Sequence, residues 1–143
     1  MKRLFADTHA WIALADAADP AHEFSVAVRD RWLEQCGLLI TTDYVADETL
    51  TLLRFRLDLD AADGLWWQAE GNSCLCWAFV NLMRAEKTRA LFLRYRRKPF
   101  SFTDCTSFVV MRELKLREVL TTDRNFEQAG FIALPKAAAP TRL

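Results

Sequence analysis

The sequence of 143 residues contains no long hydrophobic run. Its longest apolar stretch, CLCWAFV at residues 74–80, is far shorter than the roughly 18 residues that a membrane-spanning helix needs. The first residues, MKRLFADTHAW, reach an acid at Asp7 and do not match a secretory signal peptide. We therefore expect a cytoplasmic protein that has no membrane partner.

The chain also lacks a cysteine pattern typical of zinc sites. No second short-spaced pair and no histidine cluster accompanies the cysteines at 74 and 76. We interpret all four cysteines as reduced thiols of a folded core: Cys36, Cys74, Cys76 and Cys105.

Neither sign of charge is in excess, because 19 basic residues balance 19 acidic ones. The charges are nevertheless distributed unevenly along the chain. Residues 1–80 hold six basic and thirteen acidic residues, and residues 81–143 hold thirteen basic and six acidic residues. Such asymmetry fits a nucleic-acid partner, unless folding interleaves the two halves and removes it.

Repeats and low-complexity linkers are absent, so we expect one domain over residues 1–143, with a frayed tail at about 136–143. Short apolar runs alternate with amphipathic stretches, which is typical of an α/β domain with a mainly parallel sheet. The predicted strands cover residues 4–6, 38–40, 74–80, 119–120 and 131–134. The predicted helices cover residues 8–16, 22–35, 44–57, 61–70, 81–97 and 104–114.

Two aspartates closely follow predicted strands. Asp7 comes after the first strand and Asp123 after the fourth. Ligands of open parallel sheets bind outside the carboxyl ends of the strands, so the two acids would meet there if their strands are neighbours. Asp123 also has a simpler explanation as the cap of a short turn. Asp43, in the other copy of the tripeptide TTD, is predicted to be a helix N-cap.

Two further acids lie on predicted helices. Glu48 falls within a stripe formed by Val45, Leu52 and Phe55, where a carboxylate is costly unless it is paired or bound to a metal. An ion pair with an arginine is the alternative. Asp104 lies in the first turn of an apolar helix that Thr103 can cap. The helix dipole alone would account for an acid at that place.

Four carboxylates brought together would repel one another unless a cation compensated them. Oxygen ligands without cysteine or histidine favour a hard ion, Mg²⁺ or Mn²⁺. We expect one or two such ions. An ion of this kind pairs with phosphate oxygens, which indicates phosphodiester or phosphoryl chemistry.

Four segments resemble, in order, the acidic motifs of PIN-domain ribonucleases, above all VapC-type toxins of bacterial toxin–antitoxin pairs. They are FADTHAWIAL, TTDYVADETLTLL, FSFTDCTSFVVM and VLTTDRNFEQAGF. The resemblance implies a three-layer α/β/α fold and a Mg²⁺- or Mn²⁺-dependent endoribonuclease. Ribosomal and transfer RNA are both possible substrates. The resemblance also implies an antitoxin partner and a homodimer.

The resemblance implies that the family's four catalytic and metal-binding acids correspond to Asp7, Glu48, Asp104 and Asp123. Thr103 and Asn125 would support the site. His9 stands where the family commonly has a small residue, either as an exposed exception or as a substrate contact.

A basic segment, RAEKTRALFLRYRRK at residues 84–98, precedes the predicted helix that begins at Asp104. Arg94, Arg97 and Lys98 could guide an RNA backbone toward the acids. The alternatives are a solvated helix face and a surface for an acidic antitoxin.

Two other classes of protein remain as alternatives. One is a non-catalytic PIN-fold module that binds RNA or protein. The other is a receiver-like phosphoacceptor domain. A receiver needs an early pair of acids and a late lysine, and here the first strand ends in a single acid.

Overall fold

The structure, a computed structural model, describes residues 2–134, so the predicted tail at 136–143 lies outside the described residues. Its strands are β1 (Arg3–Ala6), β2 (Leu38–Thr41), β3 (Leu75–Trp77), β4 (Glu118–Leu120) and β5 (Ile132–Leu134). Its helices are α1 (Thr8–Ala15), α2 (His22–Glu34), α3 (Asp43–Arg56), α4 (Leu59–Ala69), α5 (Leu82–Arg94), α6 (Phe102–Glu113) and α7 (Asn125–Gln128). None of these helices is long and apolar enough to span a bilayer.

The five strands form one sheet in the order β3-β2-β1-β4-β5, and every neighbouring pair is parallel. From β1 the chain moves outward to β2 and β3, then returns to the other side of β1 as β4 and β5. The strand order therefore reverses between β1 and β4, and such a switch point opens a crevice at the carboxyl ends of the strands.

Both faces of the sheet are buried. Phe5 of β1 points into one core together with Phe108 of α6, whereas Leu4 and Ala6 point into the other core together with Trp32 of α2. Successive residues of a strand point to opposite faces, so a strand covered on both sides is apolar throughout. The result is the predicted three-layer α/β/α arrangement, with a parallel sheet in the middle.

A chain of aromatic rings anchors α7, which the sequence reading treated as a short turn. Phe126 of α7 meets Phe108 edge to face, at 5.1 Å between ring centroids and an interplanar angle of 84°. Phe108 meets Phe100 in the same manner at 5.1 Å and 81°. Phe126 and Phe108 are fully buried, so they fix the loop that carries residues 123–125 to the core.

Some predicted boundaries and the predicted cap of α3 are wrong. Strand β3 ends at Trp77, and helix α5 ends at Arg94. Thr42, not Asp43, caps α3, because the hydroxyl oxygen of Thr42 accepts a hydrogen bond from the Val45 N–H at 3.0 Å. Asp43 instead accepts a hydrogen bond from the backbone N–H of Val80 at 2.8 Å.

Candidate active site

Asp7 lies at the switch point, between β1 and α1, and is only 2% exposed. Its backbone N–H donates to the carbonyl of Leu120 in β4 at 3.2 Å. Burial raises the pKa of its carboxyl group to about 7; the charge of His9 and the hydroxyl of Thr121 oppose this rise, and the charge of Asp104 adds to it. The site thus contains a carboxylate that is costly to ionise without a compensating cation.

Asp104 belongs to the first turn of α6, where it forms a capping box with Ser101. The backbone N–H of Asp104 donates to the Ser101 hydroxyl at 3.0 Å, and the Ser101 N–H donates to Oδ2 of Asp104 at 3.1 Å. Ser101 is therefore the cap, and the expectation that Thr103 caps this helix is wrong. Thr103 is half-buried in the first turn, beside Asp104.

Asp104 has a second role, because it also borders the other acids. Burial raises the pKa of its carboxyl group, hydrogen bonds from the Ser101 backbone and the Asn125 amide lower it, and the charge of Asp123 raises it again. The negative charge of Asp104 also raises the pKa of Asp7. Asp104 is therefore a helix-capping residue that also lies near the other acids, and its catalytic and metal-binding role stays a prediction.

Thr121, just after β4, and Asn125, the first residue of α7, connect the three aspartates. The Thr121 hydroxyl donates to Oδ2 of Asp7 and accepts from the Asp123 N–H, both at 3.0 Å. The Asn125 N–H donates to Oδ1 of Asp123 at 2.9 Å, and the Asn125 side-chain amide donates to Oδ2 of Asp104 at 3.1 Å. Asn125 thus contacts two of the three aspartates, and its site-supporting role stays a prediction.

The sequence reading missed Thr121. A hydroxyl two residues before an acid is too common a pattern to be informative, and its partner Asp7 is 114 positions away. The other copy of TTD behaves in a related way, because the Thr41 hydroxyl donates to the carbonyl of Ala6 at 3.2 Å. In both copies the first threonine ties its strand end to the end of β1.

His9 faces the acids from the first turn of α1. Its Nε2 lies 3.7 Å from Oδ2 of Asp123, with the imidazole side chain 50% exposed. Among residues 2–134, ligand atoms of Asp7, His9 and Asp123 lie within 4.8 Å of one another. His9 is therefore half-exposed and lies beside Asp7 and Asp123.

Glu48 is half-buried on α3, and the stripe that was predicted around it is wrong. Leu52 and Phe55 are 42% and 80% exposed, and the buried residues of this helix are Val45, Thr49 and Leu53. Within residues 2–134, the group of ligand atoms that converges within 4.8 Å consists of Asp7, His9 and Asp123, and includes neither Glu48 nor Asp104. Its ligand role stays a prediction.

The three predicted RNA-binding residues are exposed near the entrance to α6. Arg94 ends α5, and Arg97 and Lys98 follow it in the loop. The carbonyl of Pro99, next to Lys98, accepts a hydrogen bond from the Asn125 amide at 3.4 Å. This contact joins the loop at residues 95–101, called the basic loop below together with Arg94 at its start, to the residues around Asp104.

Three aspartates at the switch point of a parallel sheet, two of them with raised pKa values, define the class of site. Carboxylate oxygens are the ligands that hard divalent cations prefer, and a cation would relieve the crowding of negative charge. The side chains present therefore fit a divalent metal ion. The strand order 3-2-1-4-5 differs from the 2-1-3-4-5 order of a receiver domain, and a carboxylate site of this kind suits metal-assisted phosphodiester chemistry.

Comparison with known proteins identifies the family. The PIN domain family model matches residues 4–132, so the chain belongs to the PIN domain family. A curated relative, the 23S rRNA-specific endonuclease VapC20 of Mycobacterium tuberculosis, is 29% identical over 129 residues, which are 90% of this chain and 95% of that protein. The ribonuclease VapC26 of the same organism is 28% identical over 120 residues, or 82% of this chain and 84% of that protein.

A solved structure agrees with the sequence comparisons. The crystal structure of M. tuberculosis VapC20, described as a sarcin-ricin loop cleaving toxin, superimposes with a TM-score of 0.82 and 28% sequence identity. The match covers 90% of this chain and 96% of that chain. These comparisons confirm the predicted class, a VapC-type PIN-domain nuclease, and PIN-domain nucleases generally use divalent metal ions.

The raised pKa of Asp7 predicts a pH-dependent effect of Asp7→Asn in metal-free protein. This pKa is about 7 in the folded chain, whereas an aspartate in the unfolded chain has a pKa of 3.8. The free energy of unfolding therefore falls as the pH rises between these values. Asparagine carries no such charge and can still accept the Thr121 hydrogen bond. We expect Asp7→Asn to be the more stable protein at pH 8, by up to about 4 kcal/mol, with the gain vanishing near pH 4.

Urea unfolding in EDTA between pH 4 and pH 8 measures this difference. Asp47→Asn is the matched control, because Asp47 is exposed on α3 and its substitution should change the stability by less than about 0.5 kcal/mol at every pH. A wild-type protein that is more stable than Asp7→Asn at pH 8 without metal would contradict the prediction.

Proposed function

We propose that this protein is a Mg²⁺- or Mn²⁺-dependent endoribonuclease and the toxin of a toxin–antitoxin pair. The observation that carries the proposal is the hydrogen-bonded group of Asp7, Asp104 and Asp123 at the switch point of a PIN-domain sheet. The named activities of VapC20 and VapC26 support RNA as the substrate. The target of VapC20 makes 23S ribosomal RNA the first RNA to test, with transfer RNA as the alternative and the cytoplasm as the place of action.

The proposed mechanism is hydrolysis of an RNA phosphodiester bond. One or two divalent cations held by Asp7, Asp104, Asp123 and Glu48 would supply a water of lowered pKa and neutralise the charge that develops on the phosphate. Thr121 keeps Asp7 turned toward the site through its 3.0 Å hydrogen bond. Asn125 holds Asp104 and Asp123 in one arrangement through its backbone and side-chain donors, so that the carboxylates need not reorganise when the cation binds.

The basic loop is proposed to bind the RNA backbone. Arg94, Arg97 and Lys98 are exposed, and the loop that they enter contacts Asn125 through Pro99. Phosphate groups bound by these side chains would therefore lie beside the acids. Phosphate contacts of this kind give affinity without sequence specificity and weaken as the salt concentration rises.

Protein partners are proposed to be a cognate antitoxin and a second copy of this chain. Large apolar side chains are exposed at the end of the sheet and the start of α5, among them Phe79, Leu82 and Met83. Trp67 of α4 is also largely exposed. Exposed large apolar side chains support contact with another protein chain, and the VapC relatives support the class of partner.

Cleavage of a circular RNA tests the proposed activity, because a circular substrate has no ends and is opened only by an endonuclease. The circle would carry a 23S ribosomal RNA segment, and a second circle would carry a transfer RNA. We expect wild-type protein to open at least one circle with Mg²⁺ or Mn²⁺ and to be inactive in EDTA. Asp7→Asn and Asp104→Asn should lower the rate by at least about 100-fold, because each removes a carboxylate that would hold the cation whose charge stabilises the transition state.

Asp47→Asn is again the control, and it should cut at the wild-type rate. Undiminished cleavage in EDTA, or by Asp7→Asn, would contradict the metal-dependent mechanism. A folded wild-type protein that binds RNA but opens neither circle nor any RNA in total cellular RNA would instead favour the non-catalytic binding module.

The double variant Arg94→Ala/Arg97→Ala tests the RNA-binding loop. Removing two phosphate contacts should weaken RNA binding and lower the slope of log affinity against log salt by about 1.4, the value for two charges on a single strand. The control is Arg31→Ala/Arg117→Ala. It removes two exposed arginines that shortly precede β2 and β4 in the chain, at the amino ends of the strands. Fluorescence anisotropy across salt concentrations measures both, and equal slopes in the two variants would exclude this surface.

A further inference from the structure

His9 lies in the same segment as Asp7, two residues further along the chain. Asp7 is the N-cap of α1 and has an extended backbone (φ −89°, ψ 169°), while His9 lies in the first turn of the helix. Asp123 approaches from the loop after β4. Ligand atoms of these three residues lie within 4.8 Å of one another, so two separate segments of the chain direct three donors at one volume.

The separation between His9 and Asp123 is informative. Their Nε2 and Oδ2 atoms are 3.7 Å apart, which is too long for a hydrogen bond. Imidazole nitrogen and carboxylate oxygen lie about 2.0–2.2 Å from a small divalent ion, so two donors of one ion are at most about 4.4 Å apart. A distance of 3.7 Å therefore suits two side chains that share an ion.

We infer that Nε2 of His9 is a direct ligand of the divalent cation in this site, beside the carboxylates of Asp7 and Asp123. The inference rests on the proposed metal-dependent function and extends it, because the acids alone would make an oxygen-only site. A nitrogen donor raises affinity for first-row transition ions more than for Mg²⁺. The site thus prefers Mn²⁺ and Co²⁺ to Mg²⁺.

The competing explanation is that His9 acts without metal contact, as an ion pair with Asp123 or as an RNA contact. In both cases the coordination of the metal would contain oxygen only. Direct detection of nitrogen bound to the metal separates these explanations, and it does so without an activity measurement.

The experiment uses Mn²⁺ alone, added to the full-length metal-free protein, with pulsed electron paramagnetic resonance as the readout. A directly bound imidazole gives ¹⁴N modulation of the Mn²⁺ echo, and ¹⁵N-histidine labelling changes its frequencies. The chain has two histidines, and His22 is the matched control because its Nδ1 is 2.7 Å from the carbonyl of Ala13. We expect the modulation in wild type and His22→Gln and its loss in His9→Gln.

Metal affinities give a second readout. His9→Gln should weaken Mn²⁺ binding about tenfold, similar to the smallest losses seen when groups around a metal are removed, and weaken Mg²⁺ binding less than about threefold. Wild-type protein that binds Mn²⁺ without ¹⁴N modulation would overturn the inference, as would modulation that persists in His9→Gln. In either case Mg²⁺-dependent RNA cleavage would leave the proposed function intact, whereas cleavage in EDTA would reject both.

Discussion

The burial of negative charge between β1 and β4 is the constraint on which the site depends. Asp7 is almost fully buried, and its carboxyl group has a pKa near 7 because water is excluded from it. A carboxyl group that is costly to bury stays in place only where several contacts of the surrounding structure fix its position. Here the parallel pairing of β1 with β4, together with the Thr121 hydroxyl, supplies that constraint.

The acids are held by neighbours rather than by one another. Thr121 contacts Asp7 and Asp123, and Asn125 contacts Asp123 and Asp104. The fully buried Phe126 then fixes this loop to the core. The aromatic core therefore positions the loop, and the loop in turn positions the carboxylates in a geometry suited to a cation.

Local patterns predicted most of the fold, because apolar alternation reports which faces of a strand are covered. They failed where distant residues decide the outcome. The stripe around Glu48 was misjudged because Thr49 is buried with its hydroxyl bonded to the Val45 carbonyl at 2.7 Å, so a polar residue occupies the core side. His9 and Thr121 act on acids more than a hundred positions away, and no local pattern reports such a contact.

The central claim is that Asp7, Asp104 and Asp123 form one cation site. Anomalous diffraction from crystals soaked in Mn²⁺ measures this most directly. The account predicts a manganese peak within about 2.6 Å of carboxylate oxygens of Asp7 and Asp123, with Asp104 bordering it. A manganese peak bound at other acids, with none between these three, would contradict the account.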